Sequence, residues 1–157
     1  MEWQEVCEHP SLQNLPFRIE LNEKGQLLMT PVKVYHSAFQ GKIARLLPAT
    51  GVVLPECAVK TEKGTKVADV AWASEARFEK IRYESECSIA PEICIEVVSD
   101  SNTEDEIEEK RALYVKSGVN EFWVCGKTGD MSFFNAQGKM QKSKLAPNFP
   151  QKIKVLT

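Results

Sequence analysis

The chain is poor in the residues that build structural metal sites and disulfide frameworks. Its 157 residues include two histidines and five cysteines, and no two cysteines are spaced as C-x-x-C. An odd cysteine count without that spacing is atypical of a zinc site and of a disulfide-stapled fold. We therefore expect reduced thiols, and two of the cysteines stand in apolar runs where they are expected to act as small buried hydrophobic residues: Cys94 and Cys125.

Segments for membrane insertion or secretion are also absent. No apolar run approaches the roughly 18 residues that span a bilayer. The N-terminal run Met1-Glu2-Trp3-Gln4-Glu5 is acidic, whereas a secretory signal peptide begins with basic residues. We expect a cytoplasmic protein without a membrane partner.

Neither sign of charge dominates the chain. It has 20 basic and 22 acidic residues and a formal net charge of −2, which excludes a polycation that coats nucleic acid indiscriminately. The charge is unevenly distributed, because residues 100–109 hold acids and no base, whereas residues 127–157 are rich in lysine. A local basic rim that includes Lys142 and Lys144 is therefore a hypothesis.

Three common nucleotide-binding and hydrolase motifs are missing. The sequence contains no G-x-x-x-x-G-K-[ST], no G-x-G-x-x-G and no G-x-S-x-G, so phosphate-loop, dinucleotide and nucleophile-elbow interpretations lack their main support. The length and a hydrophobic fraction of 43% support a single domain over residues 1–157, with residues 1–16 as a lead-in segment.

The residue pattern predicts one mixed β-sheet with helices on its faces, an α/β or α+β fold with a mostly antiparallel start. Helical spacing predicts helices over residues 35–47, 75–82 and 103–116, the last with Ser101 or Thr103 as its N-cap. Strands are predicted over residues 17–21, 26–30, 52–60, 67–73, 92–98, 121–125 and 131–135, with a final strand or two in the tail.

Two acidic residues stand alone in apolar strands. Asp69 is the only charge in residues 67–72, and Glu96 is the only charge in residues 93–98. An unpaired buried ion costs several kcal/mol, so each needs either a basic partner or a metal ion. A single buried acid favours an ion pair, whereas two such acids in separate strands favour a shared cation. Oxygen ligands of this kind select Mg²⁺ or Mn²⁺ over zinc.

Lys110 lies beside the apolar stripe of the helix predicted over residues 103–116. It stands three residues after Ile107 and four before Tyr114. Either its stem packs while its ammonium reaches water, or it is a charge partner that orients an attacking water. The acidic run 104–109 is interpreted as a solvated face that favours the helix dipole.

Two further polar residues are weaker candidates. Strand alternation places Glu20 on the face opposite Ile19, which describes an ordinary half-exposed strand. His36 stands three residues before Phe39, on or near a buried helix face, where a histidine is usually a hydrogen-bonded structural residue.

These residues together resemble the Uma-type restriction endonucleases, a branch of the PD-(D/E)XK nuclease superfamily. The similarity covers about residues 17–135, which the resemblance marks as the core of a restriction-endonuclease-like domain. Its strongest parts are residues 91–103, which contain Glu96, and residues 118–124. Further similar pieces are Ile19-Glu20, residues 25–31, His36, residues 67–72, Lys110 and Tyr114.

The resemblance implies a divalent-metal site on the central strands. Asp69 matches the metal-binding aspartate, and Glu96 matches the acidic residue of an E-x-K element whose lysine position holds Val98. Lys110 matches a lysine that has moved to the following helix in this branch. Glu20 matches an early glutamate that completes the site, and His36 matches a recurrent histidine without an assigned role.

The sequence therefore predicts an endonuclease that hydrolyses phosphodiester bonds of DNA with Mg²⁺ or Mn²⁺. Asp69, Glu96 and the carbonyl of Val97 are expected to hold the metal, Lys110 to assist the attacking water, and Glu20 to tune the site. The first alternative is a non-catalytic module that binds DNA or a partner on the same fold, as the valine at position 98 suggests. The second is a scaffold whose acids form buried ion pairs. A homodimer is expected if both strands are cut.

Overall fold

The computed structural model describes residues 1–156 and contains four α-helices and eight β-strands within that range. A short helix α1 (Trp3–Glu8) and a 3₁₀ turn (Pro10–Leu12) form the lead-in. They are followed by β1 (Phe17–Leu21), β2 (Leu27–Pro31), α2 (Val34–Leu46), β3 (Gly51–Thr61), β4 (Gly64–Ser74), α3 (Glu75–Ile81), β5 (Ile93–Val97), α4 (Glu104–Lys116), β6 (Glu121–Cys125), β7 (Met131–Asn135) and β8 (Gly138–Met140).

Six of the strands form one mixed sheet in the order β3-β4-β5-β6-β7-β8. The pairing of β5 with β6 is parallel, and the other four pairings are antiparallel. Helix α4 is the crossover between the two parallel strands, as a parallel connection requires. The predicted fold of a mixed sheet flanked by helices is confirmed.

The remaining two strands form a separate antiparallel hairpin that lies against β4. Gly64, the first residue of β4 after the turn from β3, lets the hairpin and the six-stranded sheet approach each other closely. Its φ is +86°, in the left-handed region, and a Cβ there would be 2.3 Å from the Leu21 carbonyl oxygen. The turn therefore brings the end of β1, and Glu20 with it, beside β4.

Side-chain alternation divides the core between the two faces of the sheet. On one face α2 packs through Phe39 and Ile43 against strand residues that include Val70, Ile95 and Trp123. On the other face α3 and α4 cover a second cluster that includes Ala71, Cys94, Tyr114 and Phe122. The sheet is thus covered on both faces, as the apolar runs around Asp69 and Glu96 predict.

The structure also decides two points that the sequence leaves open, the N-cap of α4 and the number of strands in the tail. Thr103, rather than Ser101, caps α4, since its side chain accepts a hydrogen bond from the backbone N–H of Glu106. Among the residues described after Asn135, the tail contains the short strand β8, and Lys152 forms an isolated bridge with Asp130.

Candidate functional site

Asp69 and Glu96 lie next to each other on neighbouring strands. The antiparallel register pairs Val70 on β4 with Ile95 on β5, which brings the two acids side by side one residue further along. Both residues are almost completely buried, with exposed fractions of 0% for Asp69 and 2% for Glu96. Two carboxylates held this close without water need compensating donors or cations.

The Asp69 carboxylate has three neighbours on three different elements. Its Oδ2 accepts a hydrogen bond of 2.7 Å from the backbone N–H of Val97, and its Oδ1 accepts one from Arg18 Nη1. His36 Nε2 lies 3.3 Å from Oδ2. The imidazole is turned so that neither ring nitrogen makes a well-formed hydrogen bond with any residue in the range 1–156.

Glu96 is bound from both sides. Its Oε1 accepts a hydrogen bond of 3.0 Å from the hydroxyl of Tyr114 and lies 3.4 Å from Lys110 Nζ. Its Oε2 lies 3.5 Å from Arg18 Nη1. One guanidinium nitrogen therefore contacts both acids, and the two carboxylates converge on a single cationic atom.

Glu20 joins the cluster from the hairpin. Its Oε2 accepts a hydrogen bond of 2.7 Å from the backbone N–H of Val67 and lies 3.3 Å from Lys110 Nζ. Glu20 is buried because β1 lies against β4. The prediction from strand alternation that Glu20 lies on a half-exposed strand is therefore wrong. Lys110 is placed between Glu20 and Glu96, with 16% of its side chain exposed.

The structure thus brings together Glu20, His36, Asp69, Glu96 and Lys110, all of which the sequence singles out. It also adds Arg18 and Tyr114, whose polar atoms the sequence does not assign to a site. For Arg18 the available signal is strand alternation, which puts it on the same face as Glu20. For Tyr114 the helical spacing indicates burial but gives no partner for the hydroxyl.

The strand ladder is distorted opposite Asp69. The register of β3 and β4 pairs Pro55 with Val70 and Cys57 with Ala68, and skips the residues between them. Glu56, at the skipped position, has a φ of +52°, in the left-handed region that non-glycine residues rarely adopt. The Asp69 carbonyl instead accepts a hydrogen bond of 2.7 Å from the side chain of Gln40. Backbone strain of this kind is concentrated at functional sites.

Burial and neighbouring charges shift the pKa values of the cluster in different directions. Burial raises the pKa of Glu96 to about 7, against the opposing effect of Lys110. Burial alone would also raise the pKa of Asp69, but its contacts with His36 and Arg18 lower it overall. The pKa of Lys110 is raised, since Glu96 and Glu20 outweigh the effect of burial.

The cluster carries more negative than positive charge when its three acids are ionised. The carboxylates of Glu20, Asp69 and Glu96 face the two side chains that are always cationic at neutral pH, those of Arg18 and Lys110. With a neutral His36, one negative charge is left in excess when all three acids are ionised. A further cation would offset this excess.

Asp69 and Glu96 supply the hard oxygen ligands that Mg²⁺ and Mn²⁺ prefer, and Arg18 Nη1 stands at the point where such an ion would be shared. The backbone carbonyl of Val97 points to the same strand edge as its N–H, which is bound to Asp69. As the side chains are placed, residues 1–156 contain no group of three or more His, Cys, Asp or Glu side chains that could hold a metal. The donor chemistry therefore fits a divalent ion, provided that Arg18 moves away.

Two cavities open beside the cluster, and Arg18 lines both. One, of about 450 Å³, is also lined by Lys33, His36 and Lys127. The other, of about 400 Å³, is lined by Lys63, Lys66 and Lys110 together with four glutamates. Lysines stand on both sides of the buried acids, and the first cavity, with Asp100 as its one lining acid, is better suited to a phosphate backbone.

Of the lysines in residues 127–157, Lys127 lines the first cavity, whereas neither Lys142 nor Lys144 lines either of these two cavities. The backbone N–H of Lys144 donates a hydrogen bond to Glu121, at the start of β6, whereas Glu96 is level with Val124 near the other end of that strand. Glu121 also faces the opposite side of the sheet, because its carboxylate accepts a hydrogen bond from Trp123 in the α2-side core. The hypothesis of a rim at Lys142 and Lys144 is wrong for these two cavities, because this part of the chain meets β6 at the end far from Glu96.

Within residues 1–156, no helix combines the length and the hydropathy that crossing a bilayer requires.

No curated protein matches the chain. A crystal structure described as "a putative nuclease belonging to DUF820 from Anabaena variabilis ATCC 29413" has a TM-score of 0.72 to this chain at 16% sequence identity, and the match covers 99% of this chain and 95% of that one. At this identity the likeness shows the fold.

A family model identifies the chain more specifically. The model described as "Uma2: Putative restriction endonuclease" matches residues 3–151, which is nearly the whole sequence. This match confirms the resemblance drawn from the motifs around Asp69 and Glu96. The chain belongs to the Uma2 family.

Proposed function

We propose that this protein is an endonuclease that hydrolyses phosphodiester bonds of DNA with Mg²⁺ or Mn²⁺. The observation that carries the proposal is the convergence of Asp69 and Glu96 on one cationic atom, with Lys110 on the other side of Glu96. The family match and the nuclease fold of the structural neighbour support nuclease chemistry.

Asp69, Glu96 and the carbonyl of Val97 would hold the ion once the Arg18 guanidinium has moved away. When bound, a divalent ion supplies Lewis-acid polarisation of the phosphate and offsets the negative charge that develops during hydrolysis. The excess negative charge of the cluster favours this exchange of one cation for another. Tyr114 and the Val97 N–H keep the two carboxylates in place while it occurs.

Lys110 would orient the attacking water. Its raised pKa keeps it an ammonium, so it donates hydrogen bonds and does not act as a base. Glu20 and Glu96 hold that ammonium from two sides, which fixes its direction. The lysine is thereby supplied from α4, while Val98 occupies the strand position of the E-x-K element.

The proposal is tested by nicking of supercoiled plasmid DNA. The wild-type protein is expected to nick the plasmid with Mg²⁺ or Mn²⁺ and to stop when EDTA is added. Asp69→Ala and Glu96→Ala should abolish nicking, whereas Glu104→Ala, on the exposed first turn of α4, should leave it unchanged. Equal nicking by all four proteins would refute the assignment.

A second candidate function is a DNA-binding or partner-binding module without catalysis. It is favoured by one observation, the placement of Arg18 where an ion would be shared, which neutralises the acids without a metal. This candidate predicts salt-dependent DNA binding that persists in EDTA and in Asp69→Ala and Glu96→Ala. Metal-dependent nicking would exclude it.

We also propose that the active form is a homodimer, which would present one site to each of two DNA strands. Sedimentation of the protein with and without a DNA duplex tests this proposal. A dimer in either condition would support it, and a monomer in both would contradict it.

A further inference from the structure

We propose that the cavity between α2 and the end of β5 binds one unpaired nucleotide, so that the protein acts on single-stranded or frayed DNA in preference to intact duplex. The inference rests on the proposed nuclease function, which identifies the ligand as DNA. It adds a class of substrate and a residue, Tyr35, that selects it.

The cavity is deep enough to enclose a small group and is next to the acidic cluster. Its volume is about 450 Å³, within the range of pockets that enclose small ligands. Arg18 and His36 form the wall that it shares with Asp69 and Glu96. A group in this cavity would therefore lie directly beside the phosphate proposed to react at those acids.

The outer part of the cavity is apolar and aromatic. Its walls include Pro31, Val32, Phe39 and Val98, together with the ring of Tyr35. Tyr35 is 60% exposed and is held edge-on by Phe39, with ring centroids 4.8 Å apart and an interplanar angle of 84°. An exposed aromatic ring held in this way offers a flat surface on which a base can stack.

The inner part of the cavity offers unused polar atoms. The side chains of Arg18 and His36 are 7% and 6% exposed, and Arg18 Nε and His36 Nδ1 have no hydrogen-bond partner within residues 1–156, whereas His36 Nε2 lies 3.3 Å from Asp69. Buried polar atoms are normally paired, so Arg18 Nε and His36 Nδ1 are available to a ligand that offers hydrogen-bonding groups. A phosphate provides such groups.

The charges at the mouth of the cavity also suit a nucleotide. Lys33 and Lys127 both contact Asp100, so two cations share one anion at the rim. The rim therefore carries net positive charge toward an entering phosphate backbone. Apolar walls, a stacking ring, inner donors and a positive rim together match the base and the phosphate of one nucleotide.

An intact duplex cannot use the apolar walls. Its bases present only their edges in the grooves, and a ring can stack on a base only when that base is unpaired or extruded. The cavity would therefore contribute to binding only for an unpaired nucleotide. The proposed preference for single-stranded or frayed DNA follows from this additional contact.

The test measures binding in EDTA, so that it does not depend on hydrolysis. Two fluorescein-labelled DNAs are compared by anisotropy, a blunt duplex and the same duplex with a single-stranded extension. The wild-type protein is expected to bind the extended DNA more tightly. Tyr35→Ala should weaken that binding about tenfold and leave blunt-duplex binding unchanged.

Two variants serve as controls. Tyr35→Phe keeps the ring and should retain the preference, and Tyr83→Ala removes an exposed tyrosine that does not line this cavity. Equal wild-type affinity for the two DNAs, or an unchanged preference in Tyr35→Ala, would overturn the inference. Plasmid nicking by the wild-type protein, measured separately, shows in either case whether the proposed nuclease function stands.

Discussion

Arg18 Nη1 lies 3.5 Å from Oε2 of Glu96, and its contact with this second acid distinguishes the cluster from an ordinary ion pair. The same nitrogen donates a hydrogen bond to Asp69. One side chain from the hairpin therefore partly neutralises two carboxylates on neighbouring strands and reduces their mutual repulsion. Its removal should expose the cost of burying two carboxylates together.

Arg18→Ala should lower the free energy of unfolding by about 3 kcal/mol in the absence of metal, because two buried acids lose a shared cation. Mg²⁺ or Mn²⁺ should restore part of this loss, since the ion can then enter without displacing the guanidinium. Urea denaturation with and without metal measures both effects. A variant as stable as the wild-type protein in EDTA would contradict the role given to Arg18.

Glu96 should make the stability depend on pH in an unusual direction. Its pKa in the folded protein is about 7, above the ordinary value of 4.5, so the folded state binds the proton more tightly than the unfolded state. The stability contributed by this proton is present below pH 4.5 and is lost as the pH rises toward 7, a difference of about 3 kcal/mol.

Glu96→Gln tests this dependence, because the amide cannot ionise. The free energy of unfolding of the variant should rise relative to that of the wild-type protein as the pH increases from 4.5 to 7. The range begins at pH 4.5 because Asp69, whose pKa is lowered from its ordinary value, titrates at lower pH. A constant difference across that range would show that Glu96 does not titrate there.

Lys110→Met should reduce metal-dependent nicking by a factor of about 100 or more, since the water loses its positioned donor. The matched control is Lys116→Met, at the end of the same helix, where the lysine pairs with Glu62 and most of its side chain is exposed. Initial nicking rates of the two variants give the comparison. Similar rates for both would remove Lys110 from the site.

The thiols should react very unequally. Cys7 is exposed, whereas the other four cysteines are buried, and burial raises the pKa of Cys125 to about 12. A chromogenic disulfide reagent should therefore modify one thiol per native chain and five after denaturation. Rapid modification of a second thiol in the native protein would show that a buried cysteine is accessible.

The two central acids of the site are predictable because their signal is local. Asp69 and Glu96 are single charges in apolar runs, which is unusual in any buried strand. The position of Lys110 likewise follows from the 3.6-residue period of α4. The sheet and its flanking helices follow from the same kinds of pattern, with boundaries that shift by at most three residues.

The rest of the site depends on contacts between distant parts of the chain. Arg18 and Glu20 have the pattern of a half-exposed strand, and they become buried only because the hairpin lies against β4. The same holds for the Tyr114 hydroxyl, whose partner Glu96 is on another element. Local periodicity carries no information on such packing, so these roles require the structure.

The most direct test of the metal site is a calorimetric titration of the protein with Mn²⁺. The wild-type protein is expected to bind one ion per chain, and Asp69→Asn and Glu96→Gln should each abolish that binding, whereas Glu104→Gln should not. Absence of binding to the wild-type protein, or equal binding to all four proteins, would contradict the proposal that these two carboxylates share a divalent ion.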